Sequence, residues 1–238
     1  MSPRFLPPAL APLLLLIGAA PPDAERTFML TQFDRIRVDG PFDVQVGTGG
    51  PVGARAIGDR RAIERVALRV DGQTLVVTTD TRGYEGWGGQ RAAAPVIRVT
   101  ARDLRAAVVN GGGSLAIAAM RGPRVDVTVN GAGRLDVARI TADQLAGTLT
   151  GTGAMKLAGT ALRARFLANG AGSIDAGALL VNDLSVVSQS AGDGRYAARF
   201  TAAVSAFGVG AVEVIGSATC RTRGPGPIRC GTGGPPAR

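Results

Sequence analysis

The chain has 238 residues and a 45% apolar share built on Ala, Val, Leu and Ile, with only 4% aromatics. Its 35 glycines are about twice the usual share, and its formal charge of +9 is carried almost wholly by arginine, Lys156 being the only lysine. Histidine is absent, which excludes Ser-His-Asp and Cys-His nucleophiles and histidine-based metal sites.

The N-terminus reads as a secretory signal over residues 1–20: Arg4, then an apolar run over 9–17, then the small residues Gly18-Ala19-Ala20. That run is too short to span a bilayer, so no transmembrane segment is expected, and no cysteine stands nearby to carry a lipid. Residues 21–32 read as a linker. The alternation in Phe33-Asp34-Arg35-Ile36-Arg37-Val38 predicts a strand, and Phe42, Val44 and Val46 predict a second after a Gly40-Pro41 turn. Residues 59–66 suit a short helical turn. Asp71-Gly72 is a hairpin signal between alternating residues and Leu75-Val76-Val77. Residues 78–94 are the least regular stretch. Arg82, Tyr84, Trp87 and Arg91 lie there among glycines, either as a loop that stacks on a sugar or a partner, or with Trp87 folded back as a lid.

From residue 111 onward a Gly-x-Gly phrase recurs seven times, its first glycines at 111, 131, 151, 170, 192, 208 and 224. Most pairs are followed by alternating apolar residues, such as Leu115 and Ile117 or Leu135 and Val137. Even recurrence at 16–22 residues is the mark of stacked repeats. Each phrase makes a tight turn, a short strand follows, and coils stacked at about 4.8 Å satisfy one another's backbone groups. The expected fold is all-β, a single β-helix over 33–230 with a disordered tail at 231–238; an N-terminal β-sandwich to about residue 107 is the alternative. Asn110, Asn130, Thr150 and Asn169 precede their glycine pairs and are expected to stack as a polar ladder, with Ala191, Phe207 and Arg223 at the same position in later coils. Cys220 and Cys230, the only cysteines, are expected to bridge in an oxidising compartment.

Residues 33–216 resemble the auto-transporter adhesin head GIN domain, a bacterial exported family of largely unknown function. The resemblance rests on the run from Phe33 to Val44, on Gly58-Asp59, on Gly72-Gln73-Thr74-Leu75, on the repeated Gly-x-Gly and on Gly192-Asp193-Gly194-Arg195-Tyr196. It implies a right-handed parallel β-helix in the periplasm or at the cell surface. The family usually carries Ser-Gly-Ser-Gly-Asp where this chain has Asn130-Gly131-Ala132-Gly133-Arg134, so a turn carboxylate is missing.

The chemistry to be expected is sparse. Asp136 and Asp175 stand one place late for a calcium-binding β-roll, which moves the carboxylate to the other strand face, and no metal or cofactor is expected. For a β-helix enzyme acting on polysaccharide, the candidate carboxylate pairs are Asp126 with Asp136, or Asp175 with Asp183, converging on one face; otherwise these acids are solvated residues facing Arg124, Arg134 or Arg139. Arginines are scattered without a basic block or interleaved aromatics, so nucleic acid is not the expected partner. The expectation is a non-enzymatic, adhesin-like envelope protein that binds a polysaccharide or surface partner, with a polysaccharide-active enzyme or a pure scaffold as alternatives.

Overall fold

A computed structural model describes residues 24–80 and 94–231. In chain order the strands are β1 (Ala24–Phe28), β2 (Arg35–Asp39), β3 (Asp43–Thr48) and β4 (Gly53–Gly58), then helix α1 (Arg60–Glu64), then β5 (Val66–Asp71), β6 (Thr74–Thr79), β7 (Val96–Ala101), β8 (Ala106–Gly111) and β9 (Ser114–Ile117). Four long, bent strands follow: β10 (Met120–Gly131), β11 (Arg134–Gly151), β12 (Ala154–Gly170) and β13 (Ser173–Ser190). The chain closes with β14 (Gly194–Ala206), β15 (Val212–Ile215), β16 (Thr219–Arg223) and β17 (Ile228–Gly231).

These strands form a β-solenoid. One parallel ladder runs β6–β2–β8–β10–β11–β12–β13–β14–β16, and a second runs β7–β3–β9–β11–β12–β13–β14–β15–β17. A third, narrower ladder joins the starts or middles of β10 to β14, from Met120 through Ile140, Gly159 and Leu179. The first ladder runs unbroken through residue 107, where β8 pairs with β2 on one side and β10 on the other. The coil of β2 and β3 is sandwiched between that of β6 and β7 and that of β8 and β9, so the first coil in sequence is the second in space.

The alternation read from sequence sets the inside and outside of each coil. Val125, Val127 and Val129 of β10 are buried, while Asp126, Thr128 and Asn130 face out. Most core positions hold Val, Ile, Leu or Ala. Two of the largest core side chains, Phe166 and Tyr196, pair with ring centroids 5.0 Å apart. Gly147 makes room for Phe166: a Cβ there would lie 2.5 Å from its ring. Burial pushes the Tyr196 hydroxyl well above its ordinary pKa of 10.0.

The N-terminal end is covered. β5 pairs antiparallel with β6, β4 pairs antiparallel with β7, and β1 pairs with β4. The segment read as a linker therefore contains β1. Helix α1 sits at the predicted helical turn, capped by Asp59, whose Oδ1 accepts from the backbone N–H groups of Arg61 (2.9 Å) and Ala62 (3.2 Å). At the C-terminal end a disulfide joins Cys220 to Cys230. These cysteines stand in register with Ala202 and Val214, both buried, so the bridge lies where lower coils carry core residues.

The tight corner is a stack of glycines: 113, 133, 153, 172, 192 and 210. At each from Gly133 onward, an added Cβ would meet the carbonyl oxygen of the glycine one coil below. This corrects the alignment of the fifth pair. Gly192 stacks on Gly172, not on Gly170, and Ser190 replaces the first glycine of the turn. Ser190 is 1% exposed and its Oγ donates to the Gly172 carbonyl (2.9 Å) and accepts from the Gly192 N–H (3.0 Å). Its hydroxyl thus supplies turn contacts where the earlier coils carry glycine at positive φ.

Candidate functional site

The solenoid presents three outward faces. On the first ladder the positions before the glycine turns line up as Asp39, Asn110, Asn130, Thr150, Asn169 and Gln189. Asn110 Nδ2 donates to Asp39 Oδ1 (2.7 Å), and Asn130 Nδ2 donates to Asn110 Oδ1 (3.0 Å). Arg37 Nε closes on Asp39 Oδ2 at 2.9 Å. The fifth-coil member is Gln189 and not Ala191, because the turn alignment shifts by two residues there. These bonds join three coils, from Asp39 through Asn110 to Asn130.

The third ladder and its corner form a groove. Arg121, Thr141, Thr160 and Leu180 follow one another from coil to coil. With Asp143, Leu162, Asn182 and Arg199 they bound a shallow depression of about 630 Å³. Leu162 is 50% and Leu180 40% exposed, two of a small set of large apolar side chains that face outward, with Met29, Leu167, Phe200, Phe207 and Val209. Arg121 Nε is held by Asp103 Oδ1 at 2.6 Å, and the Arg199 guanidinium lies 6.0 Å from the Phe200 ring centre. A second depression of about 460 Å³ carries Arg124, Arg163, Arg165, Gln144 and Asp183.

The members of each carboxylate pair named from sequence lie on different ladders. Asp126 lies on the first ladder between Ala106 and Ala146, whereas Asp136 lies on the second between Ala116 and Lys156. Asp175 and Asp183 are separated in the same way: the first is opposite Lys156 and Arg195, the second opposite Arg163 and Thr201. Asp183 Oδ1 accepts from the Thr201 hydroxyl at 2.7 Å. Among the described residues no group of three His, Cys, Asp or Glu is placed to hold a metal ion.

The second ladder carries a feature the sequence reading missed. Its central outward row is Asp136, Lys156, Asp175, Arg195, Glu213 and Arg229, so the sign of charge reverses at every coil. Arg195 Nε approaches Glu213 Oε2 at 3.4 Å. Aligning the repeats by strand register would have exposed this row; the uneven step of 16–20 residues hid it in the linear sequence. Arg82, Tyr84, Trp87 and Arg91, singled out as binding residues, lie outside the described residues.

Stacked parallel coils with a glycine corner, a polar ladder and lean connections define a β-solenoid protein. The chain matches, over residues 32–218, the family described as "Putative auto-transporter adhesin, head GIN domain", and it belongs to that family. Among solved structures it is similar to an adhesin-type protein of Bacteroides fragilis, with TM-score 0.77 and 22% identity over 89% of this chain and 98% of that one. It is also similar to a protein of Parabacteroides distasonis described as lipid-binding (TM-score 0.65, 16% identity, 90% and 97% covered) and to an adhesin-type protein of Parabacteroides merdae (TM-score 0.63, 13% identity, 90% and 97% covered). At these identities the likeness is one of fold. No functionally curated protein matches the chain. Among the described residues no helix is long and apolar enough to cross a membrane.

Proposed function

We propose that this protein is an exported, non-enzymatic, adhesin-like protein that holds an extended anionic polymer, an acidic polysaccharide of the cell envelope or of a surface it meets, along the groove of the third ladder. The observation that carries this reading is the pairing of exposed Leu162 and Leu180 with Arg121 and Arg199 across successive coils. Flat aliphatic surface suits the C–H faces of sugars, and guanidinium forks suit carboxylate or sulfate groups. Coils repeat at about 4.8 Å, so an extended ligand meets similar weak contacts in series and gains avidity from their number. The disulfide and the family both favour an oxidising, exported setting.

The test is a glycan array run beside turnover assays on acidic polysaccharides, using wild type, Leu162→Asp, Arg199→Glu and Trp87→Ala. Binding that is lost in the first two variants supports the groove. Loss in Trp87→Ala alone moves the site to the segment around residue 87. Turnover that disappears in Asp143→Asn or Asp183→Asn overturns the non-enzymatic reading.

A further inference from the structure

The two ends of the solenoid are unlike. At the N-terminal end the outer sides of β6 and β7 are occupied by β5 and β4. At the C-terminal end, among the described residues, β16 pairs only with β14 and β17 only with β15. Among the described residues their outer backbone groups form an open parallel edge, the kind of surface that templates another strand. Within residues 195–231 there are five arginines and a single acid, Glu213, and that acid is engaged by Arg195. The described residues 24–80, by contrast, hold equal numbers of acids and arginines.

The side chains at this edge are ordered by the ladder below them. Arg221 stands over Ala203 and Arg223 over Ser205, so both point outward and both are exposed. Thr222 between them continues the inward row of Val204. Cys220, tied to Cys230, fixes the start of the strand. On the neighbouring ladder the outward row reverses sign at every coil and ends on Arg229. Continuing that pattern beyond the last coil calls for acids.

We infer that the C-terminal rim is a docking edge for an extended acidic segment of a partner protein, which adds as a strand beside β16 with two carboxylates, one residue apart, over Arg221 and Arg223. Arginine on an open edge also discourages self-association. Two copies meeting rim to rim would oppose guanidinium to guanidinium, and Glu25, on the edge strand β1 at the other end, is already engaged by Arg55 (3.4 Å). The same charges that keep copies apart select an acidic strand. Backbone pairing would supply affinity, and the acid-x-acid pattern would supply register.

The test uses the disulfide-bonded chain and a labelled, end-blocked peptide of alternating Glu and Val, read by fluorescence anisotropy and by amide exchange on the protein. The expected result is saturable binding that slows exchange in β16 and weakens about tenfold or more in the Arg221→Glu/Arg223→Glu double variant. An exposed arginine on α1 changed as Arg60→Glu should leave binding unchanged, and thermal melts should show both variants folded. Equal binding of the same peptide N-methylated on alternate amides, which keeps charge but cannot pair, would overturn strand addition. So would the absence of binding, affinity that survives the double reversal, or equal protection of β16 by dextran sulfate, which would assign the rim to an anionic polymer.

Discussion

Replacing Gly133 with alanine probes the glycine corner more cleanly than any change in the core. A Cβ at this position would lie 2.6 Å from Val109 Cγ1, 2.8 Å from the Gly113 carbonyl oxygen and 3.1 Å from that of Gly111. Neither carbonyl is free to turn away. Gly113 O accepts the Arg134 N–H (2.9 Å) and Gly111 O accepts that of Ala132 (3.0 Å), so relief must stretch the bonds that join two coils. Overpacking of this kind costs about 1–3 kcal/mol, offset in part by about 0.4–1 kcal/mol from the stiffer unfolded chain. Gly112, in the preceding coil, has nothing within 4 Å of its virtual Cβ and no left-handed φ, so Gly112→Ala should be neutral or slightly stabilising. At about 2–4 °C per kcal/mol for a chain of this size, the two single variants should differ in Tm by several degrees. Thermal unfolding followed by circular dichroism measures the difference. Equal melting temperatures would mean that the coils move apart at little cost, and the stacked-corner account of the fold would fail.

Asn130→Ala removes an amide that donates to Asn110 at 3.0 Å and should destabilise by on the order of 1 kcal/mol in urea titrations, whereas the exposed, unladdered Arg60→Ala should change little. Reducing the Cys220–Cys230 bridge should lower stability by about 2–3 kcal/mol by loop entropy, and mass spectrometry of protein from its native compartment should find no free thiol. Tyr196 gives a pH prediction. Its folded pKa is raised, so the stabilising contribution is complete below 10.0 and is lost as pH climbs above it, because only the unfolded chain ionises there. Tyr196→Phe should remove one tyrosinate absorbance step that coincides with alkaline unfolding; a step preceding unfolding and lost in this variant would show that the ring is not sealed in the core.

Sequence alone determined the repeat and its inward rows. Small residues recurring as Gly-x-Gly, each trailed by alternating Val, Leu or Ile, have few packing solutions other than thin coils stacked on one another, and both the hairpin at Asp71-Gly72 and the cap at Asp59 are local chemistry. Tertiary structure decided what lies beside what. Ser190 replaces a turn glycine and shifts the fifth pair by two residues, so only backbone pairing could reveal that Gln189, not Ala191, follows Asn169. The β2–β3 coil lies between the β6–β7 and β8–β9 coils because β4, α1 and β5 carry the chain around the end before it returns. No local pattern encodes that detour. The alternating charge row, the separation of Asp126 from Asp136 and the groove at Leu162 and Leu180 all depend on side chains 16–20 residues apart becoming neighbours. In a solenoid those neighbours are set by coil length, and one residue gained or lost at a corner changes which face a side chain joins.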